Sequence, residues 1–328
     1  MKRDEGRLYI QKRNKFQIRI LLGINVLIWG TVLFFWISKG EPFPNRQENF
    51  AMATEINRPI VHEIPSFRFN AAMALTDTNL LLYSNNALLL NLSTGEILFD
   101  FRGNERIYPA SVTKIMTVLV GLEHAINDEV KIRYDADAIY LAEASVVGFV
   151  NGEIRTLSEV LHGSFLSSGA DATSSLAYHV AGSYEGFVTL MNQTAAKIGM
   201  HDTSFMNASG LHHYNHFTTA YDIALLLDYA ITVPYFMEIF TTRAYNFINY
   251  SGNTQVMHSF MFNHMPDATF NGGTVLGGMT GFTTPAGFCL ASIATDGLHD
   301  YALITFGADF SPQHIWDAFT IYEYFLSN

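Results

Sequence analysis

The sequence predicts an α+β domain, and three observations support this fold class. Short apolar runs separated by turn residues fill positions 71–101, a pattern typical of antiparallel strands and hairpins. Helical periodicity then extends over positions 111–231, and strand-like runs return over positions 243–310 before a closing helix. Strands, a helical block and further strands predict one sheet shared by both ends of the domain, with helices packed against it.

The composition indicates a globular core and excludes several function classes. The chain has 328 residues, 49% hydrophobic and 14% aromatic, so it can bury a full core. The single cysteine, Cys289, excludes an intramolecular disulfide and a cysteine-based zinc cluster, and its apolar surroundings are typical of a core residue. The formal charge of −11 argues against nucleic acid as a partner, because neutralising phosphates requires clustered lysine and arginine.

The first 66 residues predict attachment to a membrane. Ile20–Ile37 is an uncharged, mostly apolar run of 18 residues, long enough to cross a bilayer core as a helix. Seven basic residues precede it, which predicts a cytoplasmic N-terminus. The run exceeds the apolar segment of a signal peptide, about 7–15 residues. We therefore expect a basic cytoplasmic tail over 1–19, a transmembrane anchor over 20–37 and a proline-containing extracytoplasmic tether over 38–66, rather than a buried helix of a soluble core.

The elements of the domain, residues 67–328, follow in order. Turns at Asp-Thr-Asn, Ser-Asn-Asn and Ser-Thr-Gly separate four predicted strands, at Ala71–Leu75, Leu80–Tyr83, Ala87–Leu92 and Glu96–Phe101. The predicted helices are Ser111–His124, Leu157–Phe165, Asp171–Ala181, Tyr184–Ile198 and Thr219–Ile231. Two later strands, a closing helix and no internal repeat complete the domain: Phe288–Ala294, Tyr301–Phe306 and Pro312–Phe325.

A serine and a lysine at the start of the first predicted helix form the first candidate site. Ser111 and Lys114 are three residues apart, which places the hydroxyl and the amine on one helix face. The N-terminus of a helix also favours developing negative charge. A lysine serves as a general base only when it is neutral, so this pair requires desolvation or a cationic neighbour.

Further segments in a fixed order carry a family resemblance. Residues 108–117 (YPASVTKIMT) resemble the active-site segment of the low-molecular-weight penicillin-binding proteins, which are serine-type D-alanyl-D-alanine carboxypeptidases. Residues 161–172 (LHGSFLSSGADA) are similar to the Ser-x-Asn segment of that family, and residues 207–211 with 215–222 are similar to a characteristic loop and helix. Residues 277–290 (GGMTGFTTPAGFCL) resemble its Lys-Thr-Gly strand.

This resemblance implies a fold, an activity and the residues of a site. The fold would be that of serine β-lactamases and penicillin-binding proteins, an antiparallel sheet flanked by helices. The activity would be cleavage at the D-Ala-D-Ala end of peptidoglycan stem peptides through an acyl-serine, with β-lactams as covalent inhibitors and no cofactor. The resemblance makes Ser111 the nucleophile, Lys114 its base and Ser168 a proton relay.

The same resemblance assigns the substrate-binding strand. Thr280 and Gly281 would lie along the substrate backbone, and the N–H groups of Ser111 and Phe282 would form the oxyanion hole. Preorganised donors aimed at a developing oxyanion usually supply the largest catalytic contribution.

Two positions depart from the family motifs. Ala170 stands where the family has asparagine, and Met279 stands where it has lysine, so an amide and a cation are missing. No lysine or arginine follows Arg243. We expect weaker binding of a substrate carboxylate, by about 10- to 150-fold. We also expect Lys114 to stay protonated to higher pH, because no like charge at position 279 lowers its pKa.

The departures leave alternatives to an active carboxypeptidase. The first is a catalytically impaired pseudoenzyme that binds the stem peptide or a partner as a scaffold at the cell wall. The second is an acyl-serine enzyme with another substrate, such as an esterase or a β-lactamase. A β-lactamase needs a deacylating carboxylate, for which the candidates are Glu143, Glu153 and Glu159.

Other polar residues are predicted to be structural. His212, His213 and His216 include an i, i+4 pair, but their segment matches a structural loop of the family, so we predict no metal site. Asp171 and Asp222 are expected to cap helices or hold loops.

Overall fold

The central feature of the fold is an antiparallel sheet of six strands in the order β2-β1-β10-β9-β8-β7. The structure is a computed structural model that describes residues 80–141, 143–265 and 267–327. The strands of this sheet are β1 Asn86–Asn91, β2 Ile97–Phe101, β7 Thr269–Phe270, β8 Gly273–Thr283, β9 Gly287–Thr295 and β10 Asp300–Ala308. Two small two-stranded antiparallel sheets complete the strands: β3 Glu129–Lys131 with β4 Ile154–Thr156, and β5 Ala244–Ile248 with β6 Thr254–His258.

Helices cover both faces of the sheet. The helices are α1 Lys114–His124, α2 Ala136–Leu141, α3 Leu157–Leu166, α4 Ala170–Ala181, α5 Tyr184–Ile198, α6 Ala220–Ala230, α7 Phe236–Thr241, α8 Phe260–His264 and α9 Gln313–Leu326. Leu88 points toward the core around α1, whereas its neighbour Leu89 points toward the core around α9. Because successive strand residues point to opposite faces, a strand covered on both sides is buried throughout, as β1 is, and its four central residues are apolar.

The two ends of the domain share this sheet, as the sequence predicts. β1 pairs with β10 along its whole length, with Leu88 opposite Ile304. Helix α5 has the predicted bounds, Tyr184–Ile198. The predicted helix over residues 111–124 consists of a 3-10 turn, Ala110–Thr113, followed by α1. The sequence did not predict the antiparallel pair of β3 and β4 or the short helices α2, α7 and α8.

One predicted strand is wrong. Leu80–Tyr83 contains no strand, because the backbone N–H groups of Tyr83 and Ser84 donate to the carboxylate of Asp317 on α9, at 3.0 and 2.6 Å. The polar partner of this segment is therefore a side chain rather than a neighbouring strand. The predicted strand at Ala71–Leu75 lies outside the described residues.

The predicted cytoplasmic tail, membrane anchor and tether also lie outside the described residues. Within the part of the chain that the structure describes, none of the helices has both the length and the apolar character needed to cross a membrane.

Candidate active site

The side chains of Ser111 and Lys114 meet at the start of α1, where their i, i+3 spacing places them on one face. Lys114 Nζ donates a hydrogen bond to Ser111 Oγ at 3.1 Å and another to the backbone carbonyl of Ser209 at 2.5 Å. Lys114 is 2% exposed, whereas Ser111 is half-buried and opens toward solvent. The amine is therefore enclosed while the hydroxyl stays accessible to a substrate.

Burial changes the acid–base chemistry of Lys114. Loss of hydration lowers the pKa of the amine from 10.5 to about 7, and the charge of Asp171 offsets only part of this shift. Met279 supplies no like charge, which led us to expect a higher pKa. Burial alone nevertheless lowers the pKa of the amine to about neutral pH. A large fraction of Lys114 is therefore unprotonated at neutral pH.

Ser168 completes a chain of three polar groups. It lies between α3 and α4, and its hydroxyl donates to Ser111 Oγ at 2.8 Å. Ser168 and Ala110 both have positive φ angles, +51° and +47°. Such angles cost a non-glycine residue about 1–3 kcal/mol and are tolerated mostly at functional sites. Both strained residues hold Ser111 in position, one beside its hydroxyl and one before its backbone nitrogen.

A turn around Asn207 fixes the carbonyl that Lys114 contacts. Asn207 Oδ1 accepts hydrogen bonds from the backbone nitrogens of Gly210, Leu211 and Ser209 at 2.7, 3.1 and 3.2 Å. Gly210 has φ +82°, and a Cβ there would lie 1.9 Å from the carbonyl oxygen of Ala110. Only glycine fits this contact between the turn and the helix start.

Strand β8 contacts the same helix start. A Cβ at Gly281 would lie 2.6 Å from the Ser111 nitrogen, so the strand and the helix N-terminus touch through backbone. Phe282 is 52% exposed, Thr280 is half-buried and pairs with Leu290, and Met279 is only 3% exposed. The methionine at the position of the family lysine is thus part of the core.

A cleft of about 460 Å³ opens beside these groups. Five residues named from the sequence line it: Ser111, Lys114, Ser168, Ala170 and Phe282. Thr280, Gly281 and Met279 do not line it, although Gly281 lies against the backbone of Ser111. Sequence reasoning assigned no site role to six other lining residues: Glu143, Ser145, Ser209, Leu211, His212 and Thr283. From the sequence, Glu143 was considered only as a deacylating carboxylate and His212 only as a metal ligand, and the segment 207–211 was the one signal that could have found Ser209 and Leu211.

Asp171 and His216 have structural roles next to the cleft. The Asp171 carboxylate accepts hydrogen bonds from the backbone nitrogens of residues 147–149 at 2.9–3.0 Å, which holds this loop beside α4. Burial lowers the pKa of His216 to about 3, so its ring is neutral; Nδ1 accepts from the Met206 nitrogen and Nε2 donates to Thr113 Oγ1. Across the described ranges, no group of three or more His, Cys, Asp or Glu side chains could hold a metal ion.

Comparison with known proteins identifies the fold first. A mutant of the Streptomyces K15 DD-transpeptidase superposes with a TM-score of 0.68 at 24% identity, covering 75% of this chain and 98% of that one. A D-alanyl-D-alanine carboxypeptidase from Mycobacterium tuberculosis H37Rv gives 0.66 at 24% identity, covering 77% and 94%. The curled antiparallel sheet with helices on both faces is therefore the penicillin-binding and β-lactamase-like fold, as expected from the sequence.

The sequence comparisons identify the family. The model of the D-alanyl-D-alanine carboxypeptidase family, peptidase S11, matches residues 72–310, and the chain belongs to this family. The carboxypeptidase DacF of Bacillus subtilis is 31% identical over 231 residues, 69% of this chain and 57% of DacF. A D-alanyl-D-alanine endopeptidase of Escherichia coli is 27% identical over 252 residues, 75% of this chain and 78% of that protein. The chain thus matches little more than half the length of DacF.

Proposed function

We propose that this protein is a membrane-anchored serine D-alanyl-D-alanine peptidase that acts on peptidoglycan stem peptides through an acyl-serine intermediate. The observation that carries the proposal is the hydrogen-bonded chain of Lys114, Ser111 and Ser168 at the floor of an open cleft. The family name of its relatives supports the substrate class.

Acylation begins with the neutral amine of Lys114. As Ser111 Oγ attacks the peptide carbonyl carbon, its proton passes to Lys114 Nζ, which lies 3.1 Å away. Ser168, hydrogen-bonded to Ser111 Oγ, then relays the proton from Lys114 to the leaving nitrogen as the C–N bond breaks, which leaves Lys114 neutral again. In the second half of the reaction Lys114 takes a proton from the attacking water and returns it to Ser111 Oγ as the acyl-serine ester bond breaks.

The backbone supplies the charge stabilisation. Ser111 is in the first helical turn, where N–H groups have no partner within the helix and the helix dipole favours negative charge. The close contact with Gly281 brings β8 beside this nitrogen. We assign the N–H groups of Ser111 and Phe282 to the oxyanion hole, which needs donors fixed before the reaction begins. Thr280 and Gly281 would pair with the substrate backbone.

The alternative is a pseudoenzyme that binds stem peptides without cleaving them. Ala170 and Met279 favour it, because they remove an amide and a cation from the family motifs. The assembled serines and the lowered pKa of Lys114 favour an enzyme instead, because a binding module requires neither.

Covalent labelling distinguishes the two. Full-length protein in detergent is treated with a fluorescent penicillin, and the adduct is located by peptide mass spectrometry. We expect one adduct on Ser111 that disappears in Ser111→Ala and persists in Ser251→Ala, a serine in the exposed turn between β5 and β6. Absence of any adduct at saturating probe would overturn the proposal of an active peptidase and favour the pseudoenzyme.

The proposed anchor has a separate test. We assign residues 20–37 to a single membrane span, with residues 1–19 cytoplasmic and the tether and peptidase domain extracytoplasmic. Full-length protein expressed in bacterial cells is expected in the membrane fraction and released by detergent but not by high salt. Protein that is cleaved after the apolar segment and freely released would overturn this topology.

A further inference from the structure

The charges of the cleft do not suit a substrate with a free carboxylate. Among the described residues that line it, only Lys114, Glu143 and His212 carry ionisable side chains. Lys114 is buried, and its amine contacts Ser111 and Ser209. Glu143 is exposed at the rim, and His212 is exposed with its ring edge against Tyr108. The fixed charge at the mouth of the cleft is therefore a carboxylate.

No other basic residue of the described ranges lines the cleft. Most are engaged in ion pairs or stacked on aromatic rings elsewhere: Arg102 with Glu105, Arg106 with Asp202, Arg155 with Glu153, Lys197 with Glu123, Arg133 on Tyr178 and Arg243 on Phe262. The remaining one, Lys131, is exposed on β3. A carboxylate that left water for this cleft would lose hydration without gaining a cation.

The strand side of the cleft offers a neutral group instead. Thr283 lines the cleft at the end of β8, and its hydroxyl oxygen is buried without a hydrogen-bond partner. Gly281 and Thr283 share the face of β8 that meets the helix start, because residues two apart in a strand point the same way. Because Thr283 lies in the wall of the cleft and its hydroxyl has no partner to lose, a rotation of its side chain offers a bound ligand a group that can both donate and accept.

We propose that the cleft selects acyl-D-alanyl peptides whose leaving group bears no free carboxylate next to the scissile amide. Amino-acid amides and lysine side-chain amines, as in a peptide cross-link, are leaving groups of this class. The inference rests on the proposed function and refines its substrate. The reaction is unchanged: Ser111 Oγ bonds to the carbonyl carbon, the C–N bond breaks, and the leaving nitrogen takes the serine proton through Lys114 and Ser168.

Two matched peptides test the preference. Diacetyl-L-Lys-D-Ala-D-Ala and its C-terminal carboxamide differ only in the charge of the leaving group, and kcat/KM is measured for each with full-length protein in detergent. We expect the carboxamide to be cleaved faster, by about tenfold. An acid peptide cleaved as fast or faster overturns the inference, and so does penicillin labelling of Ser111 with neither peptide cleaved. Penicillin itself carries a carboxylate beside its scissile amide, so its labelling of Ser111 is expected to be slow and is measured at saturating probe. Failure of both this labelling and peptide cleavage overturns the proposed function itself.

Two variants assign the preference to its residues. Glu143→Gln removes the rim charge, and we expect it to raise kcat/KM for the acid peptide more than for the carboxamide. The ratio of kcat/KM for the carboxamide to kcat/KM for the acid peptide should therefore fall. Glu185→Gln makes the same charge change at an exposed site on α5, outside the cleft, and should leave the ratio unaltered. Thr283→Val should lower kcat/KM for the carboxamide. Equal effects of the two glutamate variants, or no effect of Thr283→Val, would contradict the assigned roles.

Discussion

Gly281 on β8 lies against the backbone of Ser111, where a Cβ at position 281 would come within 2.6 Å of the Ser111 nitrogen. The missing side chain lets the end of β8 touch the helical turn that carries Ser111, the proposed nucleophile. The two elements can therefore be this close only because residue 281 has a hydrogen atom in place of a Cβ.

The first prediction is that Gly281→Ala slows acylation of Ser111 by at least about tenfold, because the methyl group pushes β8 away from the oxyanion donors. The matched control is Gly278→Ala, which adds a methyl group to the opposite face of β8 next to the flexible end of Met261. Penicillin labelling rates are compared at equal folded fractions by circular dichroism. Labelling of Gly281→Ala at the wild-type rate would contradict the close-contact argument.

The second prediction concerns pH. Because the neutral form of Lys114 is the base and burial places its pKa at about 7, the acylation rate should rise with pH and level off above neutrality. The measurement is the labelling rate constant from about pH 5 to about pH 9 with a pH-stable probe. A rate that is flat or falls over this range would exclude Lys114 as the base.

The third prediction links the same lysine to stability. Below about pH 7, Lys114 is protonated in both states, and the folded state bears the full cost of a buried charge. Above that pH, the unfolded chain binds more protons than the folded one, so wild-type stability rises until the unfolded lysine also loses its proton. Any stability advantage of Lys114→Met over wild type should therefore shrink as pH rises from about 7 to about 10.

Urea unfolding at several pH values measures this difference. Lys131→Met is the control, because it makes the same substitution at an exposed position on β3. A constant difference between Lys114→Met and wild type would show that burial does not lower the pKa of Lys114.

The fourth prediction is that Asn207→Ala reduces both stability and acylation. The variant loses the acceptor of three backbone hydrogen bonds, each of which contributes about 1 kcal/mol to the free energy of unfolding. It also frees the Ser209 carbonyl, which contacts Lys114. Asn249→Ala is the matched control, because Asn249 holds a similar turn between β5 and β6. If both variants are labelled equally fast, the Asn207 turn does not position the lysine.

Local signals account for what the sequence predicted. Helix α5 begins after Ser183, whose hydroxyl caps the Gly186 nitrogen, and ends at Gly199 in a left-handed conformation. Both signals are visible in the residues themselves. The spacing of Ser111 and Lys114 is equally local, so their shared helix face could be predicted, and the ordered motifs indicated Ser168.

Contacts between distant segments account for what it could not predict. Lys114 bonds to a carbonyl 95 residues away, and its pKa depends on burial by several elements at once. Leu80–Tyr83 looks like a strand until the carboxylate of Asp317, 234 residues from Tyr83, takes its backbone hydrogen bonds. The unpartnered hydroxyl of Thr283 has no sequence signal, because any threonine at a strand end looks the same.

The pairing of β1 with β10 has a consequence for biosynthesis. These strands come from opposite ends of the described chain, so the ribosome must release nearly the whole domain before the sheet can close. During synthesis, β1 remains an apolar segment without its partner. A holdase chaperone that binds exposed apolar segments can therefore bind β1 in that interval.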